Sequence, residues 1–185
     1  MSKTVTPFTA KLVEFDTTVP FTEVISRLDA EVNKAGSQDV MAKLRMVQSQ
    51  EEFMSVVEKT SGTDFLYFME IPHHKLLKFA DGLEKPGIIA YTFGNPLVAQ
   101  AILKYNPLAA YSIPPRLLIL EKPDGTGSVV SYHLPSSVMG VPVGDNHPIL
   151  QAELEALDAR VEKLAVKITA VKIARWHSQI SLSNI

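Results

Sequence analysis

The residues best placed to do chemistry are Glu70-Ile71-Pro72-His73-His74. The alternation of the preceding strand puts Glu70 on the face of Leu66 and Phe68, and a carboxylate on an apolar face is costly unless paired or exposed. Two histidines, His73 and His74, follow it within a turn. An imidazole beside a carboxylate can serve as a general base, with the carboxylate orienting the ring. Glu70, His73 and His74 are therefore the candidate catalytic residues. The same trio could ligate a divalent ion, but adjacent side chains diverge, and a site would need further donors such as His133 or Glu121. No metal and no cofactor is assigned. The plainer reading is a solvated junction between a strand and a helix.

A second candidate is Gly94-Asn95-Pro96. Gly94 permits a tight exit from a strand, Asn95 can cap a helix and Pro96 suits its first turn. These roles account for all three residues. Alternatively, the free N–H groups of that helix face a ligand's anion or carbonyl. Gly94 and Asn95 are thus candidate ligand-binding residues, with Tyr91 and Tyr132 lining a pocket between sheet and helix, or serving as core aromatics. His133 reads as a surface or subunit-contact residue. No Gly-x-Gly-x-x-Gly, phosphate-binding loop, Gly-x-Ser-x-Gly or Ser-x-x-Lys motif occurs.

These residues need elements to hold them. Residues 5–15 alternate as a strand, and Val24, Leu28 and Val32 mark a helix ending near Gly36. A short helix opens at Ser49. Residues 64–71 and 87–93 read as strands, followed by a helix through about Tyr105. Residues 116–121 and 128–134 form a hairpin across Asp124-Gly125, and residues 135–148 read as a loop with Asn146 as a cap. The last helix is predicted to run to about Arg175. Its apolar residues Leu150, Leu154, Leu157, Val161, Leu164, Ile168 and Val171 follow a heptad spacing. That seam lies either across the domain's own sheet or partly on a second subunit, and the helix is the favoured oligomer element.

Three stretches resemble the domain of unknown function 302 family. They are Tyr91-Thr92-Phe93-Gly94-Asn95-Pro96-Leu97-Val98-Ala99, the turn over Asp16–Val24, and Pro114–Glu121 followed by Asp124-Gly125. The likeness covers about residues 12–165, and the longer middle and C-terminal helix look closer to the fungal-type members. The resemblance implies a compact α+β fold with a curved antiparallel sheet, and a homodimer. It implies no reaction.

Composition bounds the rest. The 185 residues carry a net charge of −2, and the basic residues are dispersed, which argues against a nucleic-acid face. There is no cysteine, which removes disulfides, thiolate zinc sites and cysteine nucleophiles. No apolar run reaches membrane-spanning length and no secretory signal is present, so no membrane is expected and the location is read as cytoplasmic. The expected fold is α+β: an antiparallel or mixed sheet of about five strands, helices mainly on one face, and a long C-terminal helix. One domain spans residues 1–175 and a tail spans 176–185. The expected function is a homodimeric module binding a small, mostly apolar ligand. The alternative is a cofactor-independent enzyme acting on a small metabolite through a histidine general base.

Overall fold

A computed structural model describes residues 1–60, 62, 64–141 and 146–171. The expected tail, 176–185, lies outside the described residues. The fold is α+β. The strands are β1 (Leu12–Thr17), β2 (Leu66–Pro72), β3 (Ile88–Gly94), β4 (Arg116–Glu121) and β5 (Ser128–His133). They form one antiparallel sheet in the order β1-β5-β4-β3-β2, with β4 in the centre. The helices are α1 (Phe21–Glu31), α2 (Lys34–Ser37), α3 (Val40–Met46), α4 (Gln50–Thr60), α5 (His73–Asp81), α6 (Pro96–Leu103), α7 (Pro135–Met139) and α8 (Pro148–Thr169).

The core lies between one face of the sheet and α1 and α8. Ile89, Tyr91 and Phe93 of β3, Leu117 and Ile119 of β4, and Val130 and Tyr132 of β5 point into it. They meet Val24 and Leu28 of α1 and the α8 seam from Leu150 to Ile168. The seam therefore packs on its own chain, not on a second subunit. Val171, its expected last member, is exposed because α8 stops at Thr169. The stop is set by contacts from α1 and β1. Arg27 of α1 donates to the carbonyls of Ile168 and Ala170 at 3.2 and 2.6 Å, and the Thr17 hydroxyl donates to that of Thr169 at 2.7 Å. These donors satisfy carbonyls that a continuing helix would have bonded itself.

Other boundaries also differ from the sequence reading. The first strand begins at Leu12, and residues 1–10 are exposed and carry no regular element. The helix expected to end near Gly36 is broken at Asn33, whose φ of 48° is left-handed, and α2 and α3 follow. The stretch expected as a loop contains α7, and the cap of α8 is His147, not Asn146: His147 Nδ1 accepts from the Ile149 N–H at 3.2 Å. The β4–β5 hairpin is as read, with Gly125 at φ 71°. Its second glycine, Gly127 at φ 144°, lies against β1, where a Cβ would come within 2.1 Å of the Thr17 carbonyl oxygen.

β2 holds the main surprise. Its pairing with β3 slips between Tyr67 and Met69, leaving Phe68 as an extra residue. Such a bulge moves every later side chain to the opposite face. Glu70 therefore pairs with Tyr91 and shares its face with Tyr67, not with Leu66 and Phe68. Leu66 and Phe68 instead join Val40, Leu44, Phe53, Val57 and Leu97 in a second apolar cluster under α3 and α4.

Candidate functional site

The Gly94-Asn95-Pro96 turn joins β3 to α6 as its residue types suggest. The Asn95 side-chain oxygen accepts from the Leu97 N–H at 2.9 Å, and its amide donates to the Asp64 carbonyl at 3.1 Å. Both ends of that side chain are thus engaged within the chain. A Cβ on Gly94 would stand 3.1 Å from the Phe68 ring and 3.4 Å from Pro114, so glycine keeps this crossing open.

The turn forms one wall of a cavity of about 210 Å³. Ile102, Met139 and Leu157, all buried, form the floor. Phe68, Ala99 and Pro114 line the sides, and Met41, which is exposed, stands at the rim. The Ile113–Pro114 peptide bond beside it is cis. The lining side chains are hydrocarbon, thioether or aromatic except Asn95, whose polar atoms are already bonded. Nothing in the cavity's side chains compensates a charge, so it suits a neutral apolar group. Wider hollows occur, one of about 750 Å³ beside Lys43, Glu51 and Glu52, but these are open surface grooves.

Of the ligand-binding candidates, Gly94 and Asn95 line this cavity, whereas Tyr91 and Tyr132 do not. Tyr132 stacks on Phe15 with ring centroids 6.4 Å apart, and burial pushes its hydroxyl pKa up to about 12. Tyr91 is fully buried and belongs to a separate polar cluster. Its hydroxyl donates to Asp29 Oδ1 at 2.8 Å. Lys34 Nζ lies 2.8 Å from Glu70 Oε2 and 3.4 Å from Asp29, and stands 5.3 and 5.7 Å from the ring centres of Tyr67 and Tyr91. Burial works to lower the Lys34 pKa, but the Glu70 and Asp29 carboxylates outweigh it and hold it above its usual value. Burial, reinforced by the Asp29 carboxylate, drives the Tyr91 hydroxyl far above its ordinary range. Burial and then the Glu70 charge raise Tyr67.

The expected Glu70–His73–His74 group is not assembled. Glu70 is held by Lys34. His74 Nδ1 lies 3.2 Å from the N–H and 3.0 Å from the carbonyl oxygen of Ile88, and its ring meets Phe21 edge-on. His74 thereby ties the start of α5 to the start of β3. Among the described residues neither histidine hydrogen-bonds to Glu70, and no cluster of three His, Asp or Glu side chains could hold a metal ion. His133 is exposed, and Glu121 accepts from the Gly87 N–H at 2.7 Å. Sequence reasoning missed Asp29, Lys34 and Tyr67, and also the cavity wall built by Met41, Ala99 and Met139. The only signal for the first group was Asp29 and Lys34 flanking the broken end of α1.

The model of a family described as "Domain of unknown function DUF302" matches residues 43–168. The Asp16–Val24 turn lies before the matched stretch. A search of curated proteins finds no match. The fold is similar to the crystal structure of an uncharacterized conserved protein DUF302 from Bacillus stearothermophilus. The TM-score is 0.58 at 16% identity, over 85% of this chain and 97% of that one. No helix among the described residues is long and apolar enough to cross a membrane.

Proposed function

Because the chain belongs to the DUF302 family, described only as a domain of unknown function, we propose its role from its own site: a cytoplasmic, homodimeric module that binds a small, neutral, mostly apolar ligand in the cavity beside Gly94 and Asn95. One observation carries this reading. A cavity of about 210 Å³ lies open to one side and offers no unbonded polar side chain. Dry apolar cavities of about 150 Å³ accept a benzene-sized guest, so this one has room for one or two fused rings or a short branched chain. The alternative of a histidine general base at His73 or His74 has less support, because His74 and Glu70 are each engaged elsewhere and none of Glu70, His73 and His74 lines the cavity.

Met41 and Met139 line the cavity, whereas Met1, Met46, Met54 and Met69 do not, which makes methionine methyl groups a built-in probe. Titrating naphthalene into protein carrying ¹³C-methyl methionine should produce saturable shifts at Met41 and Met139 and leave the other four in place. Ala99→Phe, which projects a ring into the cavity, should abolish the shifts while the circular dichroism spectrum is retained. Six unmoved methyls, or identical shifts in Ala99→Phe, would refute the proposal.

A further inference from the structure

Exposed apolar side chains gather where β2 runs into α5. Met69 and Ile71 near the end of β2, Leu76, Leu77 and Phe79 of α5, and Leu83 just after it are all exposed, Phe79 by 85%. α5 buries none of its residues. The helix is nevertheless firmly placed. His74 Nδ1 sits against the Ile88 backbone and its ring meets Phe21. Gly82, at a left-handed φ of 74°, ends α5 by donating its N–H to the Lys78 carbonyl at 2.7 Å. At 3.6 residues per turn, Leu76 and Phe79 lie about 60° apart on the side of α5 opposite His74. Lys75 stands about 40° from Phe79, and Lys78 about 100° away on the same flank. Asp81, the only acid in α5, falls about 20° from His74, on the side of the protein body. Lys78 pairs with Glu84 and Lys85 with Asp81, whereas Lys75 has no ionic partner among the described residues.

We infer that α5 docks on an anionic lipid surface, with Leu76 and Phe79 below the headgroups and Lys75 and Lys78 among the lipid phosphates. At nine residues, about 13 Å, α5 is far short of a span, so it lies on the bilayer and not through it. Three observations select lipid over a protein partner. First, the outward ridge is hydrocarbon, and α5 holds no Ser, Thr, Asn or Gln. A protein interface carries about one hydrogen bond per 100–200 Å², whereas the acyl region asks for none. Second, the charges beside the ridge are lysines and the acid of α5 is turned away, although the whole chain has a net charge of −2. That sign matches the anionic cytoplasmic leaflet, and the long lysine stems let the ammonium groups stay at headgroup level. Third, α5 is already helical and held by His74, so no ordering of the chain offsets the gain on docking, and a short helix suffices. The docking surface is separate from the cavity beside Gly94, to which α5 contributes no residue.

The test is co-sedimentation of the full chain with large vesicles of phosphatidylcholine, alone or with about 30% phosphatidylserine, at about 0.1 and 0.5 M salt. Wild type should bind the phosphatidylserine vesicles at least about 5-fold more tightly than phosphatidylcholine alone, and lose that advantage at high salt. Phe79→Ser and Leu76→Ser should each lower the partition coefficient by about 10-fold. Lys75→Glu should weaken binding to phosphatidylserine vesicles by about 10-fold and leave binding to phosphatidylcholine unchanged. Ile149→Ser, at an exposed apolar residue of α8, should change neither. All four positions are on the surface, and retained near-ultraviolet circular dichroism shows that the fold survives. A wild-type chain that sediments with neither vesicle overturns the inference. So does binding that persists in Phe79→Ser and Leu76→Ser. A chain that ignores vesicles but self-associates in sedimentation velocity, and loses that association in Phe79→Ser, gives the ridge to a second copy and overturns it too.

Discussion

Replacing Tyr91 by Phe tests the polar cluster more sharply than any substitution at its surface. The Tyr91 ring is fully buried, and its hydroxyl donates to Asp29 at 2.8 Å. The ring stays in place in Phe, so only the hydrogen bond is lost. A bond to a charged acceptor is worth about 1.5–3 kcal/mol. Asp29 is partly exposed and keeps Lys34 at 3.4 Å, so water can rebind its freed oxygen, and the expected cost is at the low end, about 1–2 kcal/mol. For a chain of this size that lowers Tm by about 2–8 °C. The pH dependence gives a second readout. Burial and Asp29 raise the Tyr91 pKa in the folded state, whereas an unfolded tyrosine ionises near pH 10. Above that pH the folded state holds the extra proton, so wild-type stability falls as pH rises, by up to about 1.4 kcal/mol per unit from this group. Tyr91→Phe lacks this contribution. Urea unfolding followed by circular dichroism should show the gap between the proteins narrowing by about 1.4 kcal/mol from pH 9 to pH 11. A gap constant with pH, or no destabilisation at pH 7, would refute the assignment of a buried, protonated hydroxyl to Tyr91.

Two further outcomes concern the turns. Asn95→Ala removes the cap of α6 and the donor to Asp64, and should lower the free energy of unfolding in urea by about 1–2 kcal/mol. Gly127→Ala should cost about 2–4 kcal/mol, since the added Cβ would collide with the Thr17 carbonyl at a φ of 144°. Gly125→Ala, left-handed but facing open space, should cost only about 1 kcal/mol. Equal losses at the two glycines would remove the close approach of hairpin and β1 as the reason for Gly127.

What the sequence determined by itself was local. The Asp124-Gly125 hairpin, β4, the Asn95-Pro96 start of α6 and the apolar stripe of α8 follow from residue types within a few positions of one another, because turn dihedrals, caps and side-chain periodicity are short-range properties. Tertiary structure decided the rest. The extra residue at Phe68 depends on how β2 meets β3, and no pattern within β2 announces it. That one-residue slip turned Glu70 to the face of Tyr67 and Tyr91, where it meets Lys34, 36 positions earlier. Asp29 and Tyr91 come together across 62 positions for the same reason: the contact exists only once α1 lies on the sheet. The end of α8 was likewise set from outside, by Arg27 and Thr17, although its own apolar spacing continues to Val171. The cavity is the extreme case. Gly94 and Asn95 were legible because the turn needs them, but its floor and rim come from α3, α6, α7 and α8. Space between elements is a property of their packing, and no single stretch of chain encodes it.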